Sequence, residues 1–355
     1  MSAINDDGFM ADRSILAIDI GAGTQDILVY RPGRPIENSE KLIMPSRTQV
    51  VARQIEAVTA AGKPLHLAGR LMGGGASNSA IEAHLAAGLT VTATADAART
   101  VHNRPERVRD LGVELADSPP PEAISIELGD IDLNGIGSAL AQFEVPLPET
   151  VAVAVQDHGF KPGAGNNEVR FQYLQSLIDD GGLLSGMVFT SPPDGMTRMQ
   201  AVHESISGGF LMDTGAAAVL GVRGDPIARE RIDRDGAVVV NIGNMHTFAA
   251  LVKGDRLYGL FEHHSHGMNA DLLDRLVGML RRGALDPEQF HQRFDGHGAA
   301  YSDAYRVDGP FEFVVITGPN RALARPLGFY EAAPFGDMML TGSFGLVEAV
   351  RLAGM

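Results

Sequence analysis

Two short stretches carry residue types suited to phosphate chemistry. In ILAIDIGAGTQDILVY, ending at residue 30, Asp19 closes an apolar run and is followed by Gly21, Gly23, Thr24, Gln25 and Asp26. A carboxylate at the end of a strand can hold a metal ion or an ordered water. Gly21 and Gly23 let the backbone approach a ligand closely, with N–H groups available to phosphate oxygens. Thr24 and Gln25 add uncharged donors. Asp26 repels phosphate unless a divalent cation or a water intervenes, so the loop suits a magnesium nucleotide better than a bare phosphate. The same residues would also make a tight β-turn whose Asp and Thr satisfy backbone groups.

The second stretch, VVVNIGNMHTFAALV, ending at residue 252, repeats the pattern with Asn241, Gly243, Asn244, His246 and Thr247. Asn holds magnesium less strongly than Asp, while the other side chains suit phosphate or sugar contacts. Either stretch alone is weak evidence. As a pair they predict a duplicated unit, one loop from each lobe facing a common cleft.

Further groups lie elsewhere. VAVAVQDHG puts Gln156 and Asp157 between a strand and Gly159, where either would position water or a substrate hydroxyl; capping of the following loop is the alternative for Asp157. In FEHHSHG, an extended chain places Glu262, His264 and His266 on one face and His263 on the other. Metal ligation by His264 and His266, with a distant ligand from His246, His158 or Asp157, is one reading. Contact with an anionic substrate and structural hydrogen bonding are the others. His291 and His297 sit in polar surroundings that predict exposure. Gly73, Gly74 and Gly75 follow Arg70 and suggest backbone passing close to a ligand or acting as a hinge; Lys161 and Asn166–Asn167 would form the opposite wall.

Strands must position these groups. Apolar runs at 14–20, 65–69, 89–94, 123–128, 150–155, 237–242 and 311–317, interleaved with helical patterns, predict a layered α/β chain. Residues 77 or 78 would cap one helix, 222–236 reads as a polar connection, and the end of the chain reads as a helix. At 355 residues the chain is long enough for two lobes around a cleft. Its net charge of -15 argues against broad binding to nucleic acid or anionic membranes. The complete absence of cysteine excludes disulfides, thiolate metal sites, a cysteine nucleophile and a cysteine-held iron–sulfur cluster. No apolar run has the length of a membrane span, and the polar, acidic start does not read as a secretory signal, so a cytoplasmic protein is expected, with residues 1–13 a loosely held tail. IDIGAGTQD lacks GxGxxG in the register of a dinucleotide-binding turn.

The paired loops resemble the phosphate loops of the actin, sugar kinase and Hsp70 superfamily, and VVITGPN, ending at Asn320, resembles its adenosine loop. IDIGAGTQD, LMGGG, VQDHG, NIGNMHT, FEHH and GSFGLVEA are similar to a branch whose members carry the label pyruvate formate-lyase activating enzyme. A radical-type activase needs cluster-binding cysteines, which this chain lacks. The resemblance implies two ribonuclease-H-like (actin-like ATPase) lobes around a central cleft: residues 14–160, a connecting or inserted segment 161–235, and residues 236–355. It implies ATP or ADP with magnesium, Asp19 organising the metal through water. Gly21, Gly23 and Thr24 would cradle one phosphate, Gly243 and Thr247 another, and Gly318, with Pro319 and Asn320, would meet the adenosine. ATP hydrolysis or small-molecule phosphoryl transfer is the implied activity, its other partner an unidentified small molecule or protein. A non-enzymatic nucleotide-dependent regulator and a metal-dependent hydrolase using the 262–266 histidines are the alternatives.

Overall fold

Strand β1 (Ile15–Ile20) is buried at every position except Asp19. A tight turn leads into β2 (Thr24–Tyr30), and β3 (Glu40–Pro45) extends this antiparallel meander. The structure, a computed structural model, describes residues 12–164 and 167–354. After β3 the chain builds a separate, all-parallel sheet from β4 (Leu65–Gly69), β5 (Val91–Ala93), β6 (Val113–Leu115) and β7 (Ile124–Leu128), in the order β6-β5-β4-β7. It returns through β8 (Thr150–Val155), parallel to β1, and then adds β9 (Val188–Phe189) and β10 (Phe210–Met212).

The second half repeats this plan. Strands β11 (Ala237–Ile242), β12 (His246–Lys253) and β13 (Arg256–His264) form an antiparallel meander, with β14 (Gly298–Tyr301) added at its edge. Strands β15 (Phe313–Thr317) and β16 (Tyr330–Glu331) lie parallel on the other side of β11. The orders β3-β2-β1-β8-β10 and β13-β12-β11-β15-β16 match strand for strand. Strands β1 and β11 even share one burial pattern, Asp19 and Asn241 each standing fifth of six. The protein is therefore α/β, with two ribonuclease-H-like lobes, as its paired loops predicted.

Two helices lie between the sheets, Thr214–Val222 and Thr341–Ala353. Their backbones touch: a Cβ at Gly221 would overlap the Thr341 carbonyl, and one at Gly345 the Ala217 carbonyl. One apolar core runs from Ala17, Leu28 and Met212 through Phe344 and Val347 to Val239, Phe248 and Val315. The lobes are thus joined by a common interior.

Several local expectations change. The segment 161–235 supplies β9 and β10, which complete the first sheet. Residues 226–234 form a helix, because Asp225 accepts from the amides of Ile227 and Ala228, Pro226 suits the first turn, and Ala228 and Ile232 face inward. The helix expected to be capped by Ser77 or Asn78 starts earlier, at Gly75, with both residues inside it. Gly165, Asn166 and residues 1–11 lie outside the described residues. Among the described residues, no helix is long and apolar enough to cross a membrane.

Candidate functional site

The two hairpin turns close identically. Gly21 N donates to Thr24 O and Gly243 N to His246 O, both at 2.9 Å. Among the described residues, the amides of Ala22, Gly23, Asn244 and Met245 have no acceptor. The turns meet tip to tip, since a Cβ on Gly23 would sit 2.9 Å from Asn244 Nδ2. Ser46, which precedes the helix Arg47–Ala60, braces the first turn through Ala22 O and Gly23 O. Ser265 and Asn320 brace the second through Gly243 O.

A cavity of about 80 Å³ lies on one side of the turns, lined by Asp19, Thr24, Asp26, Asn241, Asn244, Gly318 and Pro319 among others. Its volume is well below the several hundred Å³ of sites that enclose a nucleotide-sized ligand. Asp19 and Asp26 are paired neighbours on β1 and β2, and each keeps a buried Oδ1 that no donor reaches. Burial and the charges of Asp26 and Asp213 raise the Asp19 pKa far above the carboxylate range. Burial raises that of Asp26 to about 6, against a lowering contact from the Thr24 hydroxyl. Two unsatisfied carboxylate oxygens beside a small polar cavity are a donor set suited to a hard divalent cation.

Strand alternation sorts the remaining loop residues. Thr24 and Asp26 face this cavity, whereas Gln25 turns to the other face and donates to Pro45 O at 3.1 Å. Thr247 is fully buried and meets Ser265 Oγ at 3.1 Å, so it braces the second turn from outside both cavities. Gly318 takes a left-handed φ of 98°, where a Cβ would lie 2.5 Å from Asn241 Oδ1. That close packing keeps the cavity small.

On the other side of the turns opens a cleft of about 480 Å³. Asp157 and Gln156 reach it, but both are engaged. Asp157 Oδ1 accepts from Gly159 N, and its Oδ2 accepts from Arg198 N and Met199 N at the start of the helix Thr197–Ser205. Burial raises the Asp157 pKa against those amide bonds. Gln156 Nε2 donates to Glu262 Oε1 at 2.7 Å.

Glu262 anchors a buried network across the lobes. Arg170 Nη1 donates to Glu262 Oε2 at 2.7 Å, and the same guanidinium holds both oxygens of Asp213 at 2.9 and 3.1 Å. Asp213 also caps the helix Thr214–Val222 by accepting from Gly215 N. Burial alone would raise the Glu262 pKa, yet Arg170 and His297 hold it below the usual carboxylate range. Burial likewise opposes the Arg170 charge, which Asp213 and Glu262 restore. A second pair, Arg198 with Asp130, lines the cleft near Gly73, and a Cβ on Gly73 would come within 2.6 Å of the guanidinium. Gly73 is therefore glycine to admit Arg198. Arg70 lies apart, paired with exposed Glu204.

Four histidines face this cleft. Cross-strand pairing sets His246 opposite His264, and Glu262 lies opposite Gly298, so His297 falls beside them at the same sheet end. His297 Nδ1 lies 2.8 Å from Glu262 Oε1, and its side chain is only 6% exposed, which corrects the expectation of solvent exposure. No local pattern announced it; only the addition of β14 to the sheet brings it in. His158 approaches from the first lobe, after β8. Surrounding protein and the Arg170 cation push its pKa down to about 3 although it borders the open cleft. Burial pushes that of His246 down to about 4, against the raising influence of Glu262. His263 points to the other face, as alternation requires, and contacts the His264 and Phe294 carbonyls. His266 lies past the end of β13, exposed and outside the cleft.

The fully buried Arg170 was missed, although a signal existed. Residues 170, 174 and 178 form one helical stripe, and an arginine on an apolar stripe requires buried partners.

Comparison with known proteins places the chain. Residues 72–323 match the family described as "Putative pyruvate format-lyase activating enzyme (DUF1786)". The chain belongs to this family. No curated protein matches it. Among solved structures it is similar to the ethanolamine utilization protein EutJ from Carboxydothermus hydrogenoformans, at 11% identity and a TM-score of 0.31, over 94% of this chain and 88% of that one. A ROK family glucokinase from Streptomyces griseus, solved with glucose and AMPPNP, is similar at 12% identity and a TM-score of 0.30, over 96% and 98%. The PilM–PilN complex of type IV pilus biogenesis gives 12% identity and a TM-score of 0.34, over 96% and 98%. Each is a loose likeness of overall shape.

Proposed function

We propose that this protein binds a nucleotide with magnesium between its two hairpin turns, and that the 480 Å³ cleft beside them receives the phosphoryl acceptor. One observation carries the reading: twin turns with unpaired amides converge beside Asp19 and Asp26, whose buried oxygens lack donors. Asp19 and Asp26 would hold the cation, Asp19 in part through water. Bound there, magnesium would neutralise phosphate charge. The amides of Ala22, Gly23, Asn244 and Met245 would donate to phosphate oxygens in a nest-like arrangement. The 80 Å³ cavity requires that Gly23 and Asn244 part before a nucleotide enters. An activase chemistry built on a cysteine-held cluster is unavailable to a chain with no cysteine.

A second reading, a nucleotide-dependent regulator with little turnover, draws support from the site's preoccupied bases. Both Asp157 oxygens accept backbone amides, Gln156 is held by Glu262, and Asn241 stands where the first lobe has Asp19. Thermal melting with ATP or ADP, with and without magnesium, tests nucleotide binding. Stabilisation that needs magnesium and falls in D19A and T24A supports it, and no shift from either nucleotide in folded protein refutes it. Magnesium-dependent phosphate release then separates turnover from regulation.

A further inference from the structure

We infer that His158, His246 and His297 form a binding site for a divalent transition-metal ion that bridges the two lobes. One nitrogen from each of the three rings lies within 4.8 Å of the others, close enough to converge on one ion after small side-chain rotations. Ring centroids are 5.7 Å apart for His158 and His246, 5.2 Å for His158 and His297, and 4.6 Å for His246 and His297.

The surroundings are those of a ligand set. Glu262, 2% exposed, stands behind His297 with Oε1 2.8 Å from Nδ1, while Nε2 lies 3.1 and 3.2 Å from the two ring nitrogens of His264, a contact that an ion would replace. A carboxylate behind a histidine in this way fixes its tautomer and strengthens it as a ligand. Glu262, Asp213 and Arg170 together carry one net negative charge beside the three rings. His264, with its ring centroid 4.2 Å from that of His297, stands ready as a further ligand.

Nitrogen donors select a different ion from the carboxylates of the small cavity. Three imidazoles suit zinc, cobalt, nickel or copper, and magnesium prefers oxygen. Three protein ligands leave a position toward the 480 Å³ cleft for water or a small oxygen-donor molecule. His158 belongs to the first lobe and the other two to the second, so the ion would also tie the lobes together. This inference stands independently of nucleotide binding.

The test uses full-length protein without a histidine tag, stripped by chelator and titrated with cobalt(II), whose visible bands intensify at low coordination number. The expected result is one cobalt per chain, displaced by zinc, with a rise in melting temperature. H158A, at a residue bordering the cleft, and H246A should bind cobalt at least 10-fold more weakly while keeping the far-ultraviolet spectrum of the native fold. E262Q should weaken it 10–100-fold. D19N should bind as the native protein does. Failure of folded native protein to take up cobalt would overturn the proposal. So would H158A binding unchanged, or D19N losing the ion while H158A keeps it.

Discussion

Asp19 and Asp26 stand opposite each other across the first hairpin, each with a buried Oδ1 that no donor reaches. Two like charges at paired positions oppose folding unless a proton or a cation intervenes. That relationship predicts that the small cavity responds to both pH and divalent ions.

The Asp26 pKa of about 6 lies above its unfolded value, so the folded state binds the proton more tightly. Stability is then fully present below pH ~4 and declines as pH rises toward 6. D26N should therefore be more stable than the native protein at pH 8, by up to roughly 2–3 kcal/mol, and about equally stable at pH 4. Magnesium should stabilise the native protein at pH 8 and D26N much less. Urea unfolding at the two pH values checks the sign, and equal gains at both would exclude this account.

Arg170 pairs with both Glu262 and Asp213 in their buried network. R170M leaves both carboxylates buried without it and should cost about 3–5 kcal/mol in chemical denaturation. The double variant R170M/E262Q should recover part of that loss. A loss below 1 kcal/mol would mean that water replaces the guanidinium freely.

The contact between the two central helices admits no side chain at Gly221 or Gly345, because the opposing atoms are backbone carbonyls. G345A should destabilise by at least about 3 kcal/mol, since a carbonyl cannot rotate away as a side chain can. A Gly62→Ala change, in open space but at a φ of 62°, should cost only about 1 kcal/mol. Comparable melting temperatures for the two would contradict the packing assigned to these helices.

Asn241 lines both cavities and lies against Gly318. N241D adds a third carboxylate near Asp19 and should lower stability without divalent ions by roughly 1 kcal/mol at neutral pH. It should gain more from magnesium than the native protein does. Melting curves with and without the ion decide it; an unchanged response would place residue 241 outside the cation's reach.

Much of the architecture was legible because its cues are local. A strand, a Gly-containing turn and a second strand are written within 16 residues, and their recurrence at 238–252 predicted the matched sheets. Strand alternation also placed Glu262 and His264 together and His263 opposite. Residue type alone makes Gln25 and Thr247 look like ligand contacts, whereas alternation turns Gln25 to the Pro45 carbonyl and Thr247 to the Ser265 hydroxyl.

The sequence by itself determined the duplicated α/β plan, the polar turns and the absence of thiol chemistry, since these depend on residue type and short-range periodicity. Tertiary structure alone decided which groups share a site. Gln156 meets Glu262 across 106 positions and Arg170 meets it across 92, while His158 joins His246 and His297 only because the two lobes close together. It also decided that the small cavity is narrow, because the turns touch at Gly23 and Asn244. Such pairings depend on the packing of distant elements, for which the chain carries no local period.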